Sequence, residues 1–154
     1  IKLKMYRKTY KIFENLLLIV INFFPQITKY RYIRVNGPSM EPTLKNNSIF
    51  FMKRFNLATD KFERFSIIRY KDSTNKLYIK RIIGLPLEKV EIKESKLFID
   101  GKYHKKNLLD KNKNYSWALE QNQIIVLGDN YLNSFDSRKL GPINLSDIQI
   151  THIR

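Results

Sequence analysis

The chain has 154 residues, enough for one domain with a modest core, and its 43% hydrophobic and 13% aromatic content can supply that core. There is no cysteine, which excludes disulfides, thiol catalysis and cysteine metal sites. The two histidines, His104 and His152, have no partner at ligand spacing, so no metal or other cofactor is expected. Lys and Arg number 29 against 14 Asp and Glu, a net charge of +15 that suits nucleic acid or an anionic membrane surface; the lysines are scattered rather than gathered into a stripe, so no nucleic-acid partner is expected.

The N-terminus carries Lys2, Lys4, Arg7, Lys8 and Lys11, followed by an apolar segment over 12–24 that is continuous over 16–21 and is stopped by Pro25. Stretched to 10–27 it has 18 residues, including Lys11, Glu14, Asn15 and Asn22, against the ~20 apolar residues that a bilayer-spanning helix wants. No small-residue cleavage site follows Phe24. The segment is read as an uncleaved membrane anchor, with an amphipathic helix packed on the domain or lying on a membrane as the other reading. Basic residues ahead of an anchor keep the N-terminus cytoplasmic and leave the rest of the chain on the outer side. The expected division is therefore 1–28, a basic segment and anchor, and 29–154, an extracytoplasmic catalytic domain.

Beyond the anchor the chain reads as mainly β. Runs rich in β-branched and aromatic residues predict strands over 31–35, 48–53, 67–70 and 77–83. The runs at 90–92 and 97–99 flank Glu94-Ser95 as a hairpin, with Asp100-Gly101 as its exit turn. The polar, Lys- and Asn-rich stretch 103–115 reads as an exposed loop. Strands at 124–127 and 148–153 close the list, with a turn over 144–147.

Three segments carry chemistry. The first is Gly37-Pro38-Ser39-Met40-Glu41-Pro42-Thr43-Leu44, in which prolines on both sides of Ser39 interrupt regular structure and hold the hydroxyl outward. A serine beside proline is common in loops, and this one gains meaning only in combination. The second is Tyr78-Ile79-Lys80-Arg81-Ile82-Ile83-Gly84-Leu85-Pro86. With period two, Tyr78, Lys80 and Ile82 share one strand face, and Ile79, Arg81 and Ile83 share the other. A lysine on such a face is either a buried amine whose pKa is lowered by desolvation or an edge-strand side chain that snorkels to water. The third runs from Gly128-Asp129-Asn130 through Asn133, Ser134, Asp136, Ser137 and Arg138 to Gly141-Pro142, dense in groups that bond backbone. Asp136 and Arg138 are spaced for a local ion pair, and Ser134 offers a hydroxyl that could accept a bond from an amine.

As an ordered set these segments resemble the type I signal peptidases, the bacterial leader peptidase family of serine–lysine membrane proteases. The resemblance covers residues from Val35 to about Pro142. It implies a signal-peptidase-type β domain of antiparallel sheets with an N-terminal membrane-anchor helix, acting as a serine endopeptidase that removes signal peptides from secreted preproteins. By the same resemblance Ser39 is the nucleophile and Lys80 the general base. Ser134 would bond and aim Lys80, and Asp136 with Arg138 would hold the Gly-Asp-Asn turn against Arg81 and the catalytic strand. The Ser39 N–H would meet the oxyanion. Some relatives carry a hydroxyl two residues before the nucleophile, where this chain has Gly37. The substrate pocket would comprise Val35, Asn36, Met40, Leu44, Tyr78 and Ile79. Implied partners are preproteins with small residues at −1 and −3 and membrane lipid, with the enzyme monomeric at the cell membrane. Rival readings are an inactive signal-peptidase-like paralogue and a cytosolic, self-cleaving repressor-type serine–lysine protease. The repressors lack the long third segment and usually carry a DNA-binding domain. One departure bears on geometry: relatives place Gly-Asp turns where this chain has Asn47-Ser48, Phe65-Ser66 and Leu87-Glu88. Asn47 tolerates positive φ, whereas Phe65 and Leu87 do so only with strain, so altered geometry is expected at those two turns.

Overall fold

The computed structural model describes residues 30–56, 58–107 and 113–151. The anchor expected over 12–24 and the 1–28 segment lie outside the described residues, as does His152. Among the described residues no helix is long and apolar enough to cross a membrane.

Eleven strands build two antiparallel sheets: β1 (Tyr30–Arg34), β2 (Ile49–Arg54), β3 (Ile67–Lys71), β4 (Leu77–Gly84), β5 (Lys89–Lys93), β6 (Lys96–Ile99), β7 (Lys102–Asn107), β8 (Tyr115–Ala118), β9 (Gln123–Leu127), β10 (Ile143–Asn144) and β11 (Ile148–Thr151). The larger sheet has the order β1-β2-β11-β3-β4-β9-β10, and the smaller β7-β6-β5-β8. A short α-helical turn, α1 (Ser137–Leu140), starts at Asp136, whose side chain accepts from the Arg138 N–H.

Alternation decides which face each side chain serves. Ile82 on β4 and Ile124 and Val126 on β9 pack with Ile68, Tyr70 and Ile148 on one side of the large sheet. Their neighbours Ile83, Ile125 and Leu127 point the other way and join Val90, Ile92 and Leu97 of the small sheet. β9 is thus buried on both faces, which is why it reads as a continuous apolar run. A third, smaller cluster of Ile33, Met40, Met52 and Ile67 lies at the β1–β2 end, beneath the serine turn.

The stretch expected as a loop over 103–115 departs from that reading. Lys102–Asn107 is β7, an edge strand paired with β6, and Tyr115–Ala118 is β8, paired with β5. Backbone pairing to an existing hairpin makes β7 a strand despite its polar sequence. His104 sits half-buried on β7 opposite Leu97.

The expectation of altered turns is also corrected. Asn47, Phe65 and Leu87 all adopt positive φ, at 63°, 70° and 69°. Phe65 is locked there from both ends: its N–H donates to Ile82 O at 2.9 Å and its carbonyl accepts from Arg81 Nη1 at 2.6 Å. The Leu87 turn is tied by Glu88, whose carboxylate accepts from Leu85 N at 2.8 Å and pairs with Arg64.

Candidate active site

Ser39 follows β1 on a tight turn. Glu41 N donates to Pro38 O at 3.0 Å, Leu44 N to Met40 O at 2.9 Å, and Gly37 N to Asn46 Oδ1 at 2.9 Å. Gly37 has φ +94°, a conformation that side-chain-bearing residues rarely adopt, so a serine at this position would be strained. From the other side, Asn130 N donates to Ser39 O at 3.0 Å. The Ser39 carbonyl is therefore held by the Gly-Asp-Asn segment that follows β9.

Lys80 lies in the middle of β4 and is 3% exposed. Ile68 is its cross-strand partner on β3, while Tyr78 and Ile82 flank it on its own face. Its Nζ donates to Ser39 Oγ at 2.8 Å and to Ile79 O at 2.9 Å. Burial pushes the amine from its ordinary 10.5 down to about 8, and the charge of Asp136 pulls the other way. Of the two sequence readings of this lysine, snorkelling does not describe it.

Gly128 explains how a loop comes so near. A Cβ there would stand 2.2 Å from Ser134 Oγ and 2.5 Å from Ser39 O, so only glycine lets β9 run past the serine turn. Gly128 N donates to Asp136 Oδ2 at 2.9 Å. Asp136 is fully buried and receives Arg138 Nε at 2.9 Å and Nη2 at 2.9 Å. Burial raises its pKa, but the bonds from Arg138 and Gly128 and the Arg138 charge prevail and hold the carboxyl below its ordinary value. Arg138 also donates to Tyr131 O at 2.7 Å and lies over the Tyr131 ring at 3.6 Å.

Two details of the expected support differ. Ser134 is buried, but its hydroxyl does not bond Lys80, whose second bond goes to Ile79 O instead. The Ser134 hydroxyl sits against Gly128 and near enough to Asp136 to help lower its carboxyl. Arg81 faces away from Lys80 by strand alternation and is clamped by Asp129, with Nε–Oδ1 at 2.8 Å and Nη2–Oδ2 at 2.5 Å. It is thus Asp129, rather than the Asp136–Arg138 pair, that ties the Gly-Asp-Asn turn to Arg81. The sequence alone assigns no separate role to Gly128 or Asp129, although the motif that contains them is plain in it.

A cleft of ≈ 530 Å³ opens beside the Ser39–Lys80 contact, and Val35, Asn36, Met40, Tyr78 and Ile79 line it. Leu44 does not: it packs behind Met40 on the third core cluster, because the turn that exposes Ser39 rotates Leu44 inward. Phe135, on the third segment, joins the lining, stacked on Tyr78 at 6.0 Å.

Residues 8–152 match the family model for signal peptidase, peptidase S26. The chain belongs to this family. Signal peptidase I P of Bacillus subtilis subsp. natto is 32% identical over 148 residues, covering 86% of this chain and 80% of the relative. Signal peptidase IB of Staphylococcus aureus is 30% identical over 135 residues, 74% of this chain and 71% of the relative. Among solved structures, a signal peptidase I from Enterococcus faecalis is similar with a TM-score of 0.51 at 28% identity, over 58% of this chain and 94% of that one. The mainly β, antiparallel architecture is thus that of a signal peptidase.

Proposed function

We propose that this protein is a membrane-bound signal peptidase that cleaves secretory preproteins after a small residue, with Ser39 as nucleophile and Lys80 as general base. The observation that carries the reading is the 2.8 Å contact between a buried lysine amine and a half-buried serine hydroxyl. Neutral Lys80 takes the Ser39 proton as Oγ bonds to the scissile carbonyl carbon. The developing oxyanion is met by the Ser39 N–H, which makes no hydrogen bond within the described residues. Pro38 has no N–H to add. The C–N bond breaks as the Lys80 ammonium returns the proton to the leaving amine, and the same amine then activates a water that hydrolyses the acyl-enzyme.

Val35, Met40, Tyr78 and Ile79 form apolar walls suited to small side chains at −1 and −3, with the substrate extended as an added strand. Ser134, Asp136 and Arg138 act as support beneath the dyad, and Arg81 steadies the catalytic strand through Asp129. Three large apolar side chains on β1 and β2, Tyr32, Ile49 and Phe51, are 61–73% exposed and offer a surface for lipid, in keeping with a catalytic domain resting on the outer face of the membrane.

The test is cleavage of a preprotein carrying Ala-x-Ala before the scissile bond, with the chain in neutral detergent. Ser39→Ala is expected to leave no cleavage above background while its melting temperature stays within a degree or two of the parent. Undiminished cleavage by that variant would refute the assignment.

A further inference from the structure

The walls of the cleft change character with distance from the reacting pair. Back along β4 from Lys80 the order is Ile79, Tyr78 and Leu77, with Lys76 just before the strand; back from Ser39 it is Gly37, Asn36 and Val35, then Arg34 and Ile33 on β1. The β4 wall therefore runs from the reactive atoms through apolar side chains to a cation, and the other wall carries a cation, Arg34, between apolar Val35 and Ile33. Arg69, directly across from Ile79 in the β3–β4 register, adds a third. Among the described residues that line the cleft there is no Asp or Glu. The nearest carboxylate in sequence, Asp72, is committed to its own turn, accepting from Thr74 N at 2.8 Å, Thr74 Oγ1 at 2.7 Å and Lys76 N at 3.0 Å. The Lys76 ammonium is held at the wall, 5.5 Å from the centre of the Tyr78 ring.

We propose that the cleft selects substrates by charge at position −5 of the signal peptide, favouring an acidic side chain and rejecting a basic one, with Arg34 and Lys76 as the readers. The inference rests on the proposed pocket for −1 and −3, since that pocket sets the direction in which the substrate runs. The Lys76 backbone lies four residues before Lys80, just ahead of β4, a span of ~13 Å that an extended peptide covers in four residues, from −1 to −5; both amines lean over the Tyr78 ring between them, at 5.5 and 5.7 Å from its centre. Alternation supports the register: −1, −3 and −5 share one face of an extended strand, as Lys80, Tyr78 and Lys76 share one face of theirs. An acidic side chain at −5 thus meets two cations at a half-open rim, where attraction is modest and sensitive to salt.

The experiment uses three preproteins with Ala at −1 and −3 and Asp, Ser or Lys at −5, cleaved by the full chain in neutral detergent at low salt. In the parent, kcat/KM is expected to fall in the order Asp, Ser, Lys, with about five- to tenfold between the extremes, the scale of one or two rim ion pairs. Adding 0.5 M salt should compress that ratio. In the Arg34→Glu/Lys76→Glu double variant the order should invert. The ratio is taken within one enzyme, so partial misfolding of a variant does not disturb it. Equal rates for all three substrates in the parent, or a ratio unchanged in the double variant, would overturn the charge selection alone. Failure of the parent to cut after the −1 alanine in any substrate would instead overturn the signal-peptidase reading beneath it.

Discussion

Lys80 is a cation placed where a cation is costly. Ile68, Tyr78 and Ile82 surround it on its strand face, and the amine is held near pKa 8 chiefly by loss of water. A lysine lowered in this way opposes folding at neutral pH. The unfolded chain binds its proton up to 10.5 and the folded chain only to about 8, so the penalty is fully present below about 8 and fades as pH rises toward 10.5. That difference corresponds to about 3 kcal/mol below pH 8. Lys80→Met, close in volume and without the charge, is therefore expected to abolish cleavage yet raise the melting temperature measured at pH 7, by several degrees. Ser39→Ala, which removes only a half-buried hydroxyl, should abolish cleavage with no such gain. An unchanged or lowered melting temperature for Lys80→Met would mean that the amine is better solvated than its surroundings imply. Gly128 is the complementary case, a residue whose contribution is the absence of a side chain. Gly128→Ala drives a methyl group against Ser39 O and Ser134 Oγ, and displacing Ser39, the proposed nucleophile, by a fraction of an ångström to 1 Å should lower kcat/KM by about 100-fold. Activity within a few-fold of the parent would show that the serine turn is not seated by this loop.

At the scale of elements, most strands were legible because their alternation is strong: the predicted runs 67–70, 77–83 and 124–127 fall within β3, β4 and β9. Two kinds of feature were not. β7 has no apolar alternation, since its sequence answers to solvent on an exposed edge and only pairing with β6 makes it a strand. Ion-pair partners were hidden as well, because Asp129 and Asp136 are both available to Arg81 in sequence and only the fold points Asp129 across to β4. Leu44 illustrates the same limit: its place in the serine segment puts it in the pocket, while the turn packs it, half-buried, against the Met40 cluster. The glycine-like turns teach the opposite lesson, for residue preference suggested a change of geometry that tertiary bonds override. Phe65 keeps its left-handed backbone because Ile82 and Arg81 bond both its ends, and its ring packs on the main core. Leu87 has the same backbone and an exposed side chain, so it bears strain without compensating burial. Left-handed backbone costs an L-residue about 1–2 kcal/mol, less the ~0.5–1 kcal/mol of extra chain entropy that glycine surrenders on folding. Leu87→Gly is expected to raise the melting temperature by about 2–4 °C. Phe65→Gly should lower it, because the lost ring packing outweighs relief of the backbone. A fall for Leu87→Gly in thermal unfolding would show that its turn is unstrained.

Considered whole, the molecule brings together three segments that are far apart in sequence around one apolar face of the large sheet. Sequence order gave no distance between Ser39 and Lys80; what could be read was that one residue is held outward by prolines and the other sits in an apolar strand. The fold supplies the rest. β3 and β9 flank β4, the third core cluster supports the serine turn, and the buried Asp136–Arg138 pair secures the segment that carries Asn130 to the Ser39 carbonyl. The consequence at this scale is a pH dependence that belongs to the fold rather than to lysine itself. Only the neutral amine can accept the serine proton, so activity should climb as pH rises through the folded-state pKa of Lys80, and the sign is opposite to that of a catalytic acid. The most direct measurement is kcat/KM for an Ala-x-Ala preprotein between pH 6 and 10.5 at fixed ionic strength. A single rising limb with a midpoint close to 8 is expected. A midpoint at the ordinary lysine value, or a rate indifferent to pH across that range, would contradict a dry lysine serving Ser39 as its base.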